Sequence, residues 1–193
     1  MHTSHWRTMF ALCLAVSTVV ILSQTVSTIA ANDAPAADHG VTKAICVVQP
    51  LGDSKVTGKV VFTKVADGVE IAAELTGLAP GEHGFHVHEF GDCSMMDGTC
   101  AGGHFNPTGA PHGGPDSEKR HAGDFGNIKA DASGKATYKR VDKLITLNGD
   151  HSIIGRSIIV HAKADDLKTQ PSGDAGARIG CGVIGIADSK MKH

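Results

Sequence analysis

The sequence predicts an all-β fold, an eight-stranded antiparallel sandwich or barrel carrying two long functional loops. Three observations lead there. Short β-prone runs recur along the chain, each closed by a turn signal. Helical periodicity is weak, so strands are left as the elements able to bury a face. The composition, 24 Gly and 4% aromatic residues in a chain of 193, suits a loop-rich molecule with a Val/Ile/Ala core. That length fits one domain and is enough to bury a core.

The first element is an export signal over residues 1–31. Arg7 supplies the positive flank, "MFALCLAVSTVVIL" (9–22) the apolar run, and "SQTVSTIAA" (23–31) a small, polar end with cleavage at Ala30 or Ala31. The alternative is an uncleaved membrane anchor, since the apolar stretch read to Ile29 could nearly span a bilayer; its many Ser and Thr residues favour cleavage. Cys13 sits too early in the run, with no small residue before it, to carry a lipid. Residues 32–40, "NDAPAADHG", read as a flexible leader, and 41–193 as the folded domain.

Strands follow in order. "VTKAICVVQ" (41–49) is the first and "KVTGKVVFTKV" (55–65) the second, with "ADG" (66–68) as a hairpin turn. "VEIAAEL" (69–75) puts apolar residues at 69, 71, 73 and 75, the alternation of a strand with one buried face. "FHVH" (85–88) is a strand end behind the turn "LAPGEHG" (78–84). "DFGNIKAD" (124–131), "DASG" (131–134) and "KATYKRV" (135–141) read as strand, turn, strand; "SIIVH" (157–161) and "RIGCGVIGIA" (178–187) complete the eight. Segments 89–120 and 162–178 exceed the usual length of a connection, and such loops are commonly functional.

A formal charge of −2 offers no basic field for nucleic acid. Export implies a periplasmic or extracellular, oxidising setting in which disulfides persist. Cleavage would leave four cysteines: Cys46, Cys93, Cys100 and Cys181.

The twelve histidines are the outlier. His86 and His88 lie two apart on a strand and so point the same way, about 6–7 Å from each other. His104, His112 and His121 follow in the long loop, Asp124 comes three residues later, and His161 ends a strand. Six imidazoles and a carboxylate are too many for one tetrahedral site and suit two sites sharing a residue. Imidazole-rich sites suit Cu and Zn: four nitrogens in tetragonal array favour Cu(II), and three nitrogens with a carboxylate favour Zn.

Six stretches carry a resemblance: "GFHVHEFGD" (84–92), "AGGHFNP" (101–107), "HGGP" (112–115), "RHAGDFGNI" (120–128), "GDHSIIGRSIIVHAKADD" (149–166) and "GDAGARIGCGVIGIA" (173–187). In these the chain resembles the copper/zinc superoxide dismutases, of the exported, bacterial-like kind. The resemblance runs from about residue 41 to 187 and implies a Greek-key order for the strands. It implies His86, His88, His104 and His161 as copper ligands, and His104, His112, His121 and Asp124 as zinc ligands, with His104 bridging as an imidazolate. Asp165 would accept hydrogen bonds from His86 and His112 and fix their tautomers. The reaction implied is disproportionation of superoxide anion to O₂ and H₂O₂ by a Cu(II)/Cu(I) cycle, with zinc orienting His104 as proton carrier and Arg178 anchoring the anion.

The resemblance also pairs Cys181 with the metal loop. Its partner is Cys93 or Cys100; Cys93, five residues after His88 as in bacterial relatives, is the choice, leaving Cys100 unpaired and Cys46 a buried thiol. His83 and His151 would hydrogen-bond loops. Segment 166–178 is short and lacks the acidic pair and lysine that steer substrate in animal relatives, so Lys163 and Lys168 are the local candidates. A homodimer or a monomer, no nucleic-acid partner, and membrane contact only through an uncleaved signal segment complete the expectation. Two other functions compete: an exported copper or zinc carrier without turnover, and a zinc hydrolase.

Overall fold

Apolar alternation at Val69, Ile71, Ala73 and Leu75 builds the strand Gly68–Thr76, and all four side chains are buried. The computed structural model describes residues 40–192; the expected export segment, nearly all of the leader and His193 lie outside the described residues. The strands are β1 (Lys43–Pro50), β2 (Thr57–Val65), β3 (Gly68–Thr76), β4 (Gly81–His88), β5 (Asp124–Ala130), β6 (Ala136–Asp142), β7 (Ser157–His161) and β8 (Arg178–Ile186). Among the described residues a 3₁₀ turn at Thr99–Ala101 is the sole helical piece, and no helix is long and apolar enough to cross a membrane.

The strands close into an antiparallel barrel in the order β1-β2-β3-β6-β5-β4-β7-β8. The jumps from β3 to β6 and from β4 to β7 are the crossings of a Greek key. Closure leaves no free edge. The expected "strand end" at 85–88 proves to be the second half of a longer β4. Its first half, Gly81–Gly84, pairs with Asn127–Ala130 of β5, whereas Phe85–His88 pair with Ser157–Val160 of β7. Gly81, Glu82, His83 and Gly84 carry little β preference, and pairing with β5 overrides it.

The core holds Phe62, Phe85, Phe125, Ile71, Leu75, Ile128, Ile158 and Ile184, all fully buried. Three phenylalanines at its centre make it less purely aliphatic than the composition suggests. Alternation along β4 sends Phe85 and Val87 into that core. His86 and His88 therefore point to the opposite face of the sheet, yet both are buried. The two long loops cover them, and the covered space is where the chemistry-bearing residues meet.

Candidate metal centre

The outer face of β4 supplies the first two imidazoles. His161, at the end of β7, supplies a third, and His104 a fourth through a β-bridge to His88. Nδ1 of His86 and Nε2 of His88, His104 and His161 are buried without any hydrogen-bond partner. The ligand atoms of these four residues lie within 4.8 Å of one another. Their other ring nitrogens are held by oxygens, that of His104 by Asp124 Oδ1. His86 Nε2 donates to Asp165 Oδ2 at 2.8 Å, His88 Nδ1 to the Gly102 carbonyl at 3.0 Å, and His161 Nδ1 to the Gly176 carbonyl at 3.2 Å. Each donor fixes a tautomer, so the inward nitrogens present lone pairs. Buried polar atoms are normally satisfied; four converging unpaired nitrogens fit a cation that prefers imidazole.

A second group adjoins the first. Asp124 Oδ1 lies 2.7 Å from His104 Nδ1, 3.1 Å from His112 Nδ1 and 3.2 Å from His121 Nδ1. Its other oxygen accepts the backbone N–H groups of Gly113 and His121 at 3.1 and 2.9 Å. His112 Nε2 donates to Asp165 Oδ1 at 3.0 Å. Three nitrogens and one carboxylate oxygen fit a tetrahedral zinc ion. His104 stands in both groups, with Nε2 toward one and Nδ1 toward the other. Asp165 touches both as well, through His86 and His112.

Electrostatics follow burial. Desolvation holds His86 below its ordinary range, and holds His88 well below it with help from His104, His161 and Arg178. Burial brings His104 down to about 4 and His161 to about 3. Burial opposes ionisation of Asp124, but hydrogen bonds from His104, His112 and His121 outweigh it and keep the carboxyl well below the usual range. Burial also disfavours a charged His112, yet bonds to Asp124 and Asp165 raise it to about 9. The first four rings are thus neutral ligands near pH 7.

A pH dependence follows for protein stripped of metal. His104 and His161 titrate lower when folded than the ordinary 6.5, so the unfolded chain binds more protons between about 6.5 and 3. Their contribution is present above 6.5 and is lost as the pH falls through 4 and 3. His112 acts oppositely, contributing below 6.5 and fading as the pH rises through 9. Urea unfolding at pH 7, 5.5 and 4.5 should show a falling midpoint; a level or rising one would contradict the burial of neutral imidazoles.

Arg178 opens β8 opposite His161. Its Nη2 donates to the Gly102 carbonyl at 2.7 Å and Nη1 to that of Gly98. The disulfide is Cys93–Cys181, with Cα atoms 5.8 Å apart. Cys93 packs with Leu51, Ala101, Ile159 and Cys181 just behind that loop. Cys46 is buried, its thiol pushed up to about 12 by desolvation, and Cys100 is free and partly exposed. His83 sits between the carbonyls of His161 and Ala79, and His151 bonds the Leu144 carbonyl, both as expected of loop hydrogen-bonders.

Several supports have no signature in the sequence. Asn127 clamps the backbone of Asp165 on both sides, at 2.7 and 2.9 Å. Gln170 does the same to His112. Arg120 and Asp142 form a buried ion pair beneath the second group, and Arg120 also reaches the carbonyls of His121, Ala122 and Asp124. The Asn127 and Gln170 clamps join a side chain to the backbone of a distant segment, which residue type alone does not announce.

A Greek-key barrel with two adjoining cation pockets and one ring in common is a protein of the paired-metal class. Known sequences then narrow the class. The copper/zinc superoxide dismutase (SODC) family matches residues 56–184. A superoxide dismutase [Cu-Zn] of Paramecium bursaria Chlorella virus 1 is 49% identical over 155 residues, covering 76% of this chain and 81% of the viral one. The chain belongs to the copper/zinc superoxide dismutase family.

Proposed function

We propose that the chain disproportionates superoxide, with His86, His88, His104 and His161 holding copper, and His104, His112, His121 and Asp124 holding zinc. The observation that carries this reading is the placement of the His104 ring, whose two nitrogens each face a different buried ligand set. When bound, copper supplies the one-electron chemistry that turns one superoxide into O₂ and a second, with two protons, into H₂O₂, and zinc supplies fixed positive charge.

The chain's own residues do the rest. His104 Nε2 takes up a proton in the first half of the cycle and gives it back in the second. Asp124, beside Nδ1 of that ring, would share zinc with it and so keep the ring oriented. Asp165 holds the His86 and His112 tautomers together, so neither pocket relaxes alone. Arg178 guides the anion by charge; its field already depresses His88 and His161. Of the two lysines near the rim, the Lys163 side chain lies along Gly176, whose carbonyl positions His161. A metal carrier without turnover has no use for Arg178 beside such a ring.

The test is a metal count with a rate. Purified metal-loaded protein should contain one Cu and one Zn per chain and remove superoxide only when copper is present. Arg178→Glu should keep its copper, lose about tenfold or more in rate and show a blunted salt dependence, since steering contributes about 10–10³ in on-rate. An unaltered rate would end the anchoring role.

Export to an oxidising compartment is part of the same proposal, supported by the charge-flanked apolar run at 9–22 and by the disulfide. So is a homodimer. Val47, Phe90 and Val183 are 54%, 52% and 45% exposed. Val47 and Val183 lie on neighbouring strands, and Gly91 packs against Val183. An apolar patch of this kind on a barrel without free edges suits a self-complementary contact with a second copy. Val183→Lys should convert a sedimenting dimer to monomer; an unaltered sedimentation coefficient would exclude this face.

A further inference from the structure

We propose that Gln170 is a positioning residue for the zinc pocket, a clasp through which the short loop 162–177 governs how firmly zinc is retained. His112 lies in a stretch without strand pairing. Among the described residues both hydrogen bonds of its backbone go to one side chain. The His112 N–H donates to Gln170 Oε1 at 2.8 Å, and Gln170 Nε2 donates to the His112 carbonyl at 2.9 Å. Gln170 Nε2 also reaches the Lys168 carbonyl at 3.2 Å. By contrast, Asp124 belongs to β5, and Val87 and Phe105 pair by backbone with Gly123 beside it.

The loop is built to present this amide. Asp166 accepts the backbone N–H groups of Lys168 and Thr169 at 2.9 and 2.8 Å. Gly173 N–H donates to the Thr169 carbonyl at 2.7 Å, and Asp166 N–H to the Gly173 carbonyl at 2.8 Å, so the segment closes on itself. Gly173 has φ 71°, and a Cβ there would collide with Asp165 and His112 Nε2. The loop therefore grips His112 twice: at the ring through Asp165, and at the backbone through Gln170. An amide alone fits the second grip, because one planar group must accept on one side and donate on the other. A carboxylate could only accept.

This proposal rests on the reading of the centre as a zinc site, and its test separates the two. The copper- and zinc-loaded protein is compared with Gln170→Ala and Gln170→Glu. Zinc transfer to a chromophoric chelator is timed, the Co(II) spectrum of the zinc-depleted pocket is recorded, and the thermal midpoint of each metal-stripped protein is measured. Outer supports of metal ligands typically change affinity by about 10–100-fold. Both variants should release zinc at least about tenfold faster, with weakened tetrahedral Co(II) bands, unchanged copper content and the metal-stripped midpoint of the unaltered chain. Zinc release within twofold of the unaltered chain would overturn the clasp alone. So would a metal-stripped midpoint lowered as much as the loaded one, the mark of a merely structural role. An unaltered chain that took up no zinc would overturn the reading of the centre and the clasp with it.

Discussion

Replacing His104 with alanine should lower the dismutation rate by at least about 100-fold while leaving the barrel folded. Two losses combine. The shared ring is removed from both ligand sets, leaving three nitrogens in the first pocket and two nitrogens with Asp124 in the second. The proton carrier of the proposed mechanism also disappears, and a positioned proton carrier is worth about 10²–10⁴ in rate. His104 is on a loop rather than in a strand, and the core residues Phe85, Phe125 and Ile158 do not depend on it. Superoxide decay, copper EPR and far-UV circular dichroism on one preparation would check all of this. A rate within threefold of the unaltered protein would remove His104 from the mechanism.

Loss of the disulfide should give the largest fall in stability. Cys93–Cys181 closes 88 residues of chain. Removing a native disulfide typically costs about 2–5 kcal/mol. At roughly 2–4 °C per kcal/mol for a domain of this size, the melting midpoint should fall by about 10 °C. The free thiol of Cys100 in the same loop makes a double change, Cys93→Ser with Cys100→Ser, the cleaner experiment. The rate should fall too, since the Gly98 and Gly102 carbonyls that hold Arg178 lie in the stapled loop. A melting curve that overlaid the parent's would show that packing of Leu51, Ala101 and Ile159 suffices to hold it.

Much of the architecture was legible because the physics there is local. Val69, Ile71, Ala73 and Leu75 announce β3 by period alone, and "SIIVH" announces β7 by β-branched residues. The first half of β4 was not legible, since its strand state comes from pairing with β5 rather than from the residue types of Gly81–Gly84. The imidazoles could be singled out by their abundance and by the His86/His88 spacing. Their division into two pockets depends on a fold that brings His161 and Asp124 to the same face of β4. The disulfide was open between Cys93 and Cys100 until the family likeness favoured Cys93. Gln170 was invisible: an amide 58 residues from the backbone it holds has no pattern to betray it.

One carbonyl ties together two properties of this centre. Gly102 accepts from His88 Nδ1 and from Arg178 Nη2. In the proposed mechanism the first bond sets how strongly that imidazole pushes electron density toward copper, and the second sets where the guiding charge stands. Rotating that single peptide plane would move redox poise and substrate attraction at once. Variation in the 98–103 segment is therefore expected to shift both or neither, and selection for a faster capture of the anion must be met elsewhere on the rim.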